Sequence, residues 1–330
     1  MRCVTKYNHV ASILIAVTLV AVGMQAEAQQ QTKIARIGML VSGSVATHGH
    51  RIDAFRQGLR DLGYVEGKNV FIEYRYAEGK GERFADLALE MVRLRPDVIY
   101  VGSIPFASAA KKATSTIPIV ATGGDLIGAG LAASLAQPGG NVTGSTNISP
   151  DVSGKRLALL KETIPKAKRV AVLYHPNPSD EEEVKQSEAA APALGLTIYP
   201  VPAKAPGEFA AAFSSMKREN ATAAVIIQGS QNNSHIKTLA ELAVKNALPS
   251  IGEPPDYAEN GCLMSYGPNL NDLWYRGAIF VDKILKGRKP ADLPVEQPVK
   301  FELVFNLRTA KQIGLTIPPN VLSRADRVIK

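Results

Sequence analysis

Short apolar runs alternate with amphipathic helical stretches along most of the chain, and the whole alternation occurs twice. Ile34-Ala35-Arg36-Ile37-Gly38-Met39-Leu40-Val41 reads as a buried strand; Ile52, Phe55, Leu59 and Leu62 then recur at helical spacing, and Gly63 ends that helix. A strand at 70–74, a helix with Phe84, Leu87, Met91 and Leu94 on one face, and strands at 98–101, 117–120 and 142–143 follow. Strands interleaved with helices in this way predict right-handed βαβ units and parallel sheets covered on both faces. The second half repeats the plan. Lys168-Arg169-Val170-Ala171-Val172-Leu173 echoes the first strand, Leu194-Gly195 echoes Leu62-Gly63, Phe209-Ala210 echoes Phe84-Ala85, and Leu248-Pro249 echoes Ile117-Pro118, all at offsets of about 125 to 133 residues. Two lobes of one topology are expected.

Beyond the second set of strands, Ser265-Tyr266-Gly267-Pro268-Asn269 punctuates the chain. A helix at 270–285 carries Leu273, Ile279 or Phe280, and Ile284 inward, and Gly287 closes it. A link with Pro290, Pro294 and Pro298 leads to a strand with Phe301, Leu303 and Phe305 on one face. The expected division is an export signal at 1–28, an N-terminal lobe of 29–147 plus about 267–290, and a C-terminal lobe of 148–266 plus about 291–330.

The export signal rests on Arg2 and Lys6 ahead of an apolar run at 10–24 that ends in Ala26-Glu27-Ala28. The run is short for a spanning helix, which needs about 20 apolar residues, and small and polar residues follow it. Cleavage near Ala28 predicts a soluble periplasmic protein, expected to work as a monomer. It leaves Cys262 as the single thiol, set in an apolar stretch that reads as core. The net charge of +8 raises a nucleic-acid reading, but its lysines and arginines are scattered over helix faces and ends without interleaved aromatics. An exported protein also meets no nucleic acid. No cofactor is expected: Gly128-Ala129-Gly130-Leu131 fits a dinucleotide fingerprint by letter, yet it follows a late strand and Pro138 cuts its helix short. No nucleophile-base-acid signature occurs, and His48 and His50 read as a solvated loop or cleft rim. Asp180-Glu181-Glu182-Glu183 stands where a helix begins, where acidic side chains suit the macrodipole.

In open parallel sheets, ligands bind beyond the carboxyl ends of the strands. The loops there are small and polar. They are Ser42-Gly43-Ser44, Gly102-Ser103-Ile104-Pro105 and Thr122-Gly123-Gly124-Asp125 in the first half, and His175-Pro176-Asn177, Gln228-Gly229-Ser230-Gln231 and Glu253-Pro254-Pro255 in the second. Each alone is ordinary turn chemistry. Facing each other in equivalent positions, they predict one cleft between lobes.

The run from Gly128 through Ser134-Leu135-Ala136-Gln137-Pro138-Gly139-Gly140-Asn141-Val142-Thr143-Gly144, with Gly154-Lys155-Arg156-Leu157, Met264-Ser265-Tyr266-Gly267, Val281-Asp282-Lys283-Ile284-Leu285-Lys286-Gly287 and Leu293-Pro294-Val295-Glu296-Gln297-Pro298, resembles the ABC-transporter substrate-binding protein family that includes tryptophan and tyrosine receptors. The resemblance spans the chain beyond the export signal. It implies a type I periplasmic-binding-protein fold, two Rossmann-like α/β lobes joined by three crossovers, closing on a small solute and delivering it to an inner-membrane ABC permease. A small amino-acid-like or carboxylate solute is expected, with an aromatic amino acid favoured, and no reaction is implied. Ser42, Gly43, Ser44, Ser103, Ile104, Pro105 and Asp125 match the family's first-lobe loops. His175, Asn177, Gln228, Ser230 and Glu253 are the expected second-lobe contacts, and Asn147 and Tyr266 lie at the expected hinges. The chain departs from its relatives at Leu126, where they carry Pro, and at Gln228-Gly229-Ser230, where amino-acid receptors carry an Asp for the ligand ammonium. Glu253 is the alternative source of that charge. A sensory receptor of the same fold, signalling to a membrane protein, is the competing expectation.

Overall fold

The computed structural model describes residues 34–146 and 152–330. The expected export signal at 1–28 and the hinge at Asn147 lie outside the described residues. In the first lobe β1 (Ala35–Val41), α1 (Val45–Asp61), β2 (Val70–Tyr76), α2 (Phe84–Arg93), β3 (Val98–Val101), α3 (Ile104–Ala113), β4 (Ile119–Thr122) and β5 (Val142–Ser145) follow one another. Their sheet has the order β2-β1-β3-β4-β5, and every neighbouring pair is parallel. Strands β3, β4 and β5 are buried at every position, as a sheet sandwiched between helices requires.

The second lobe repeats this order. It contains α4 (Val152–Thr163), β6 (Arg169–Tyr174), α5 (Pro178–Ala190), β7 (Thr197–Pro202), α6 (Phe209–Arg218), β8 (Ala223–Ile226), α7 (Ser230–Ser234), α8 (Ile236–Lys245), β9 (Ser250–Gly252), α9 (Pro255–Glu259) and β10 (Met264–Pro268). Read as β7-β6-β8-β9-β10, the sheet matches the first strand for strand, and β11 (Phe301–Asn306) and β12 (Arg327–Ile329) extend it beyond β10. β11 runs antiparallel to β10.

The chain changes lobes to bury apolar faces that its own neighbours leave open. After β10, α10 (Leu270–Leu285) returns to the first lobe, where Trp274, Ala278, Phe280, Val281 and Ile284 pack with Ile52, Phe55 and Leu59 of α1. The two helices approach closely at Gly58, where a Cβ would fall 2.4 Å from the Tyr275 carbonyl oxygen. The segment after α10 also stays on the first lobe. Leu293 and Val295 are buried in its core, Thr143 Oγ1 donates to the Leu293 carbonyl at 2.6 Å, and Glu296 N–H donates to the Gly144 carbonyl at 3.0 Å. Only then does β11 rejoin the second sheet.

Candidate functional site

A cavity of about 1190 Å³ lies between the lobes. All of the loops expected from the strand ends contribute to its wall: Ser42 after β1, Ser103, Ile104 and Pro105 after β3, Asp125 after β4, His175 and Asn177 after β6, Gln228 after β8 and Glu253 after β9. The parallel sheets dictate this, because every strand of a βαβ unit ends on the same side.

Ser44, Gly43 and Tyr266 turn away from the cavity. Ser44 caps α1, its hydroxyl accepting from Thr47 N–H at 3.3 Å while Thr47 Oγ1 accepts from Ser44 N–H at 3.0 Å. Gly43 is packed beneath Thr47 and His48, where a Cβ would fall 2.4 Å from each side chain. Tyr266 lies in the second-lobe core, stacked on Phe301 at 5.8 Å with Lys155 Nζ 4.8 Å from its ring centre. Ser230 opens α7. Asn177 and Asp125 line the cavity but also hold their own loops. Asn177 Oδ1 accepts from Ser179 and Asp180 N–H groups, and Asp125 Oδ1 accepts from Ile127 and Gly128 N–H groups. Leu126, at the position where relatives carry Pro, is buried in the first-lobe core.

The structure adds residues that the strand-end rule does not reach. His48 does not sit in a solvated loop: it lines the cavity from α1, buried, with Nδ1 2.9 Å from Thr47 Oγ1. Burial, with Arg51 and His50 close by, pushes its pKa down to about 3, so the imidazole is neutral. The Ser44-x-x-Thr47 capping box is the local signal for this, because it starts the helix before His48. Arg51, on the same helix, has only 4% of its side chain exposed and donates across the cleft to Asp256 Oδ2 at 2.5 Å. His50 Nε2 approaches the same carboxylate at 3.3 Å. Burial would raise the Asp256 pKa, but Arg51 and His50 outweigh it and hold the carboxyl well below the usual range.

On the second lobe, the acidic run does open a helix, capped by Asn177, yet Asp180 and Glu183 also face the cavity. Arg156 Nη2 donates to Glu183 Oε1 at 2.7 Å and stands 3.9 Å from Glu253 Oε2. Two kinds of surface therefore meet in the cavity. Phe84, Ile104, Pro105 and Trp274 give it apolar faces, with Trp274 edge-on to Tyr100 at 5.1 Å. Ser103 Oγ, Gln228 Oε1, Arg51 Nε, and Arg156 Nε and Nη1 are buried polar atoms with no hydrogen-bond partner among the described residues. Such atoms are costly to leave unmet, so the cavity is built for a solute with an apolar body and both donor and acceptor groups.

Comparison with known proteins agrees with this geometry. The family model for ABC transporter substrate binding proteins matches residues 37–329. A tyrosine-binding protein of Clostridioides difficile is 29% identical over 265 residues, covering 79% of this chain and 75% of its own. A crystal structure of a conserved domain protein from Vibrio cholerae has a TM-score of 0.84 at 29% identity, covering 90% of this chain and 100% of that one. A Streptococcus pneumoniae domain in complex with L-Trp has a TM-score of 0.84 at 27% identity, covering 89% of this chain and 99% of that one. Two lobes of mainly parallel sheet are the periplasmic-binding-protein fold, and the family whose model matches is one of solute-binding proteins, not enzymes. The chain belongs to the ABC transporter substrate-binding protein family.

Proposed function

We propose that the protein is the periplasmic receptor of an ABC importer, exported by the signal at 1–28, and that it closes as a monomer on an amino-acid-like solute, with an aromatic amino acid favoured. The observation that carries this reading is the pairing, in one cavity, of aromatic faces with buried donors and acceptors from both lobes that are unpartnered among the described residues. Phe84, Ile104, Pro105 and Trp274 receive the solute's body, Ser42 and Ser103 contribute hydroxyls from the first lobe, and Gln228 and Glu253 contribute acceptors from the second. The tyrosine-binding relative and the L-Trp complex support the aromatic class. An inner-membrane permease is the partner that receives the solute. We place the lobe boundary in the last third of the chain after Glu296, a reading supported by the packing of the segment up to it on the first sheet.

Ser103→Ala and Gln228→Ala are each expected to weaken solute binding about tenfold, the worth of one hydrogen bond, with the melting temperature of the free protein unchanged. Thermal-shift screening with aromatic amino acids and small carboxylates, followed by titration calorimetry of the best binder, measures this, since a solute that binds only the folded state raises the melting temperature. Wild-type affinity in both variants would remove these loops from the site.

A further inference from the structure

The second-lobe wall of the cavity carries more negative charge than its own cations neutralise. Glu183 and Glu253 flank Arg156, and Asp180 lies close enough to act electrostatically on Glu253. Asp180 and Glu253 are only 7% and 6% exposed. His175 approaches through its backbone, whose N–H donates to Asp180 Oδ2 at 3.1 Å. Around the group stand Glu181 on α5, Tyr257 on α9, and Glu182 and Lys204 along the same cavity. Lys204 is exposed. Arg51 is already committed to Asp256. Three carboxyl groups thus share one buried guanidinium, and charge of that kind is not left buried: it takes up a proton or meets a cation. Burial, reinforced by Glu183, lifts the Asp180 pKa to about 7. Burial raises that of Glu253 in the same direction, against Arg156.

Arg156 supplies a second, independent observation. Its side chain is 3% exposed, yet Nε and Nη1 have no acceptor among the described residues. The wall therefore lacks two things at once, a cation for its carboxyls and an acceptor for its guanidinium. The head group of an α-amino acid carries both on one carbon atom.

We propose that the second lobe reads an α-amino-acid head group, with Glu253 and Asp180 on the ammonium and Arg156 on the carboxylate, and that binding expels a proton from this cluster. The proposal rests on the solute-receptor reading above and replaces the Asp that amino-acid-binding relatives carry at the Gln228 loop. In the free protein the carboxyls hold a proton; the arriving ammonium keeps its own three and favours the fully ionised cluster, so the displaced proton goes to solvent. Affinity then rises with pH through neutrality.

Titration calorimetry with L-tryptophan, tryptamine and indole-3-propionic acid separates the contributions. L-Tryptophan is expected to bind roughly 20-fold more tightly at pH 7.5 than at pH 5.5, the effect of one proton displaced from a group titrating near neutrality. At pH 6.5, buffers of different ionisation enthalpy should report proton release with L-tryptophan and with the weaker ligand tryptamine, and none with indole-3-propionic acid. Glu253→Gln should lose both the release and the pH dependence; Asp180→Asn serves the same purpose if the first variant does not fold. Binding of L-tryptophan without proton exchange, equal binding of indole-3-propionic acid, or unchanged pH dependence in a folded variant would overturn the proposal while leaving an aromatic-solute receptor intact. Failure of all three compounds to bind would overturn the aromatic reading beneath it, and the proposal with it.

Discussion

Asp256→Ala is expected to weaken solute binding by roughly 100- to 1,000-fold, with a much smaller effect on the melting temperature of the solute-free protein. Arg51 belongs to the first lobe and Asp256 to the second, so their 2.5 Å contact exists only while the lobes are together. Removing one partner of a buried pair leaves the other charge uncompensated, at a cost of about 3 to 5 kcal/mol. Opening the cleft returns Arg51 to water and relieves that cost. The penalty therefore falls on closure, and through it on binding, where each 1.4 kcal/mol or so is a factor of ten. His50, 3.3 Å from the same carboxylate, does not replace the charge. Because the Asp256 pKa is depressed in the closed form, the latch is fully present above the ordinary carboxylate pKa and is lost as pH falls below it. Calorimetry on the variant and the wild type, with melting curves of both free proteins, measures the two effects separately. Equal affinities would show that the pair contributes nothing to closure.

Gly144→Ala is expected to destabilise the first lobe by about 3 to 5 kcal/mol, seen as a fall of roughly 10 °C in melting temperature. Gly144 has φ of +137°, where a side chain is strained, and a Cβ there would fall 1.9 Å from the Ala121 carbonyl oxygen on the neighbouring strand. Neither atom can retreat, since Gly144 pairs with Ala121 in the ladder and its carbonyl accepts from Glu296 N–H as the chain leaves the first lobe. The control is Gly140→Ala, in the same motif, where an added Cβ would meet nothing within 4 Å. A change within about 0.5 kcal/mol is expected there. Comparable melting temperatures for the two variants would contradict this account of the motif.

Both predictions show how far the sequence could be read. The two lobes were legible because strand and helix periodicity are local: β1, α1 and β6 announce themselves in runs of a few residues, and the repeated order of strands follows from repeated runs. The cavity loops were legible for the same reason, since parallel strands place their ends together whatever the side chains. Ser44 and Tyr266 were ambiguous. A Ser after a strand serves a helix cap as well as a solute, and an aromatic beside a Gly-Pro turn serves a core as well as a hinge, so composition could not separate the roles.

The sequence by itself determined the class of fold, the doubling of the lobes and the side of each sheet on which a site can form, because these depend on spacing along the chain. The tertiary structure alone decided which charges meet. Arg51 and Asp256 are 205 residues apart, and Arg156 reaches Glu183 and Glu253 from a different helix. It also decided that His48 is buried and neutral and that Asp180, placed where any helix start favours an acid, faces the cavity. Electrostatic partners are set by distance in space and by exclusion of water, and neither is encoded in the order of neighbouring residues.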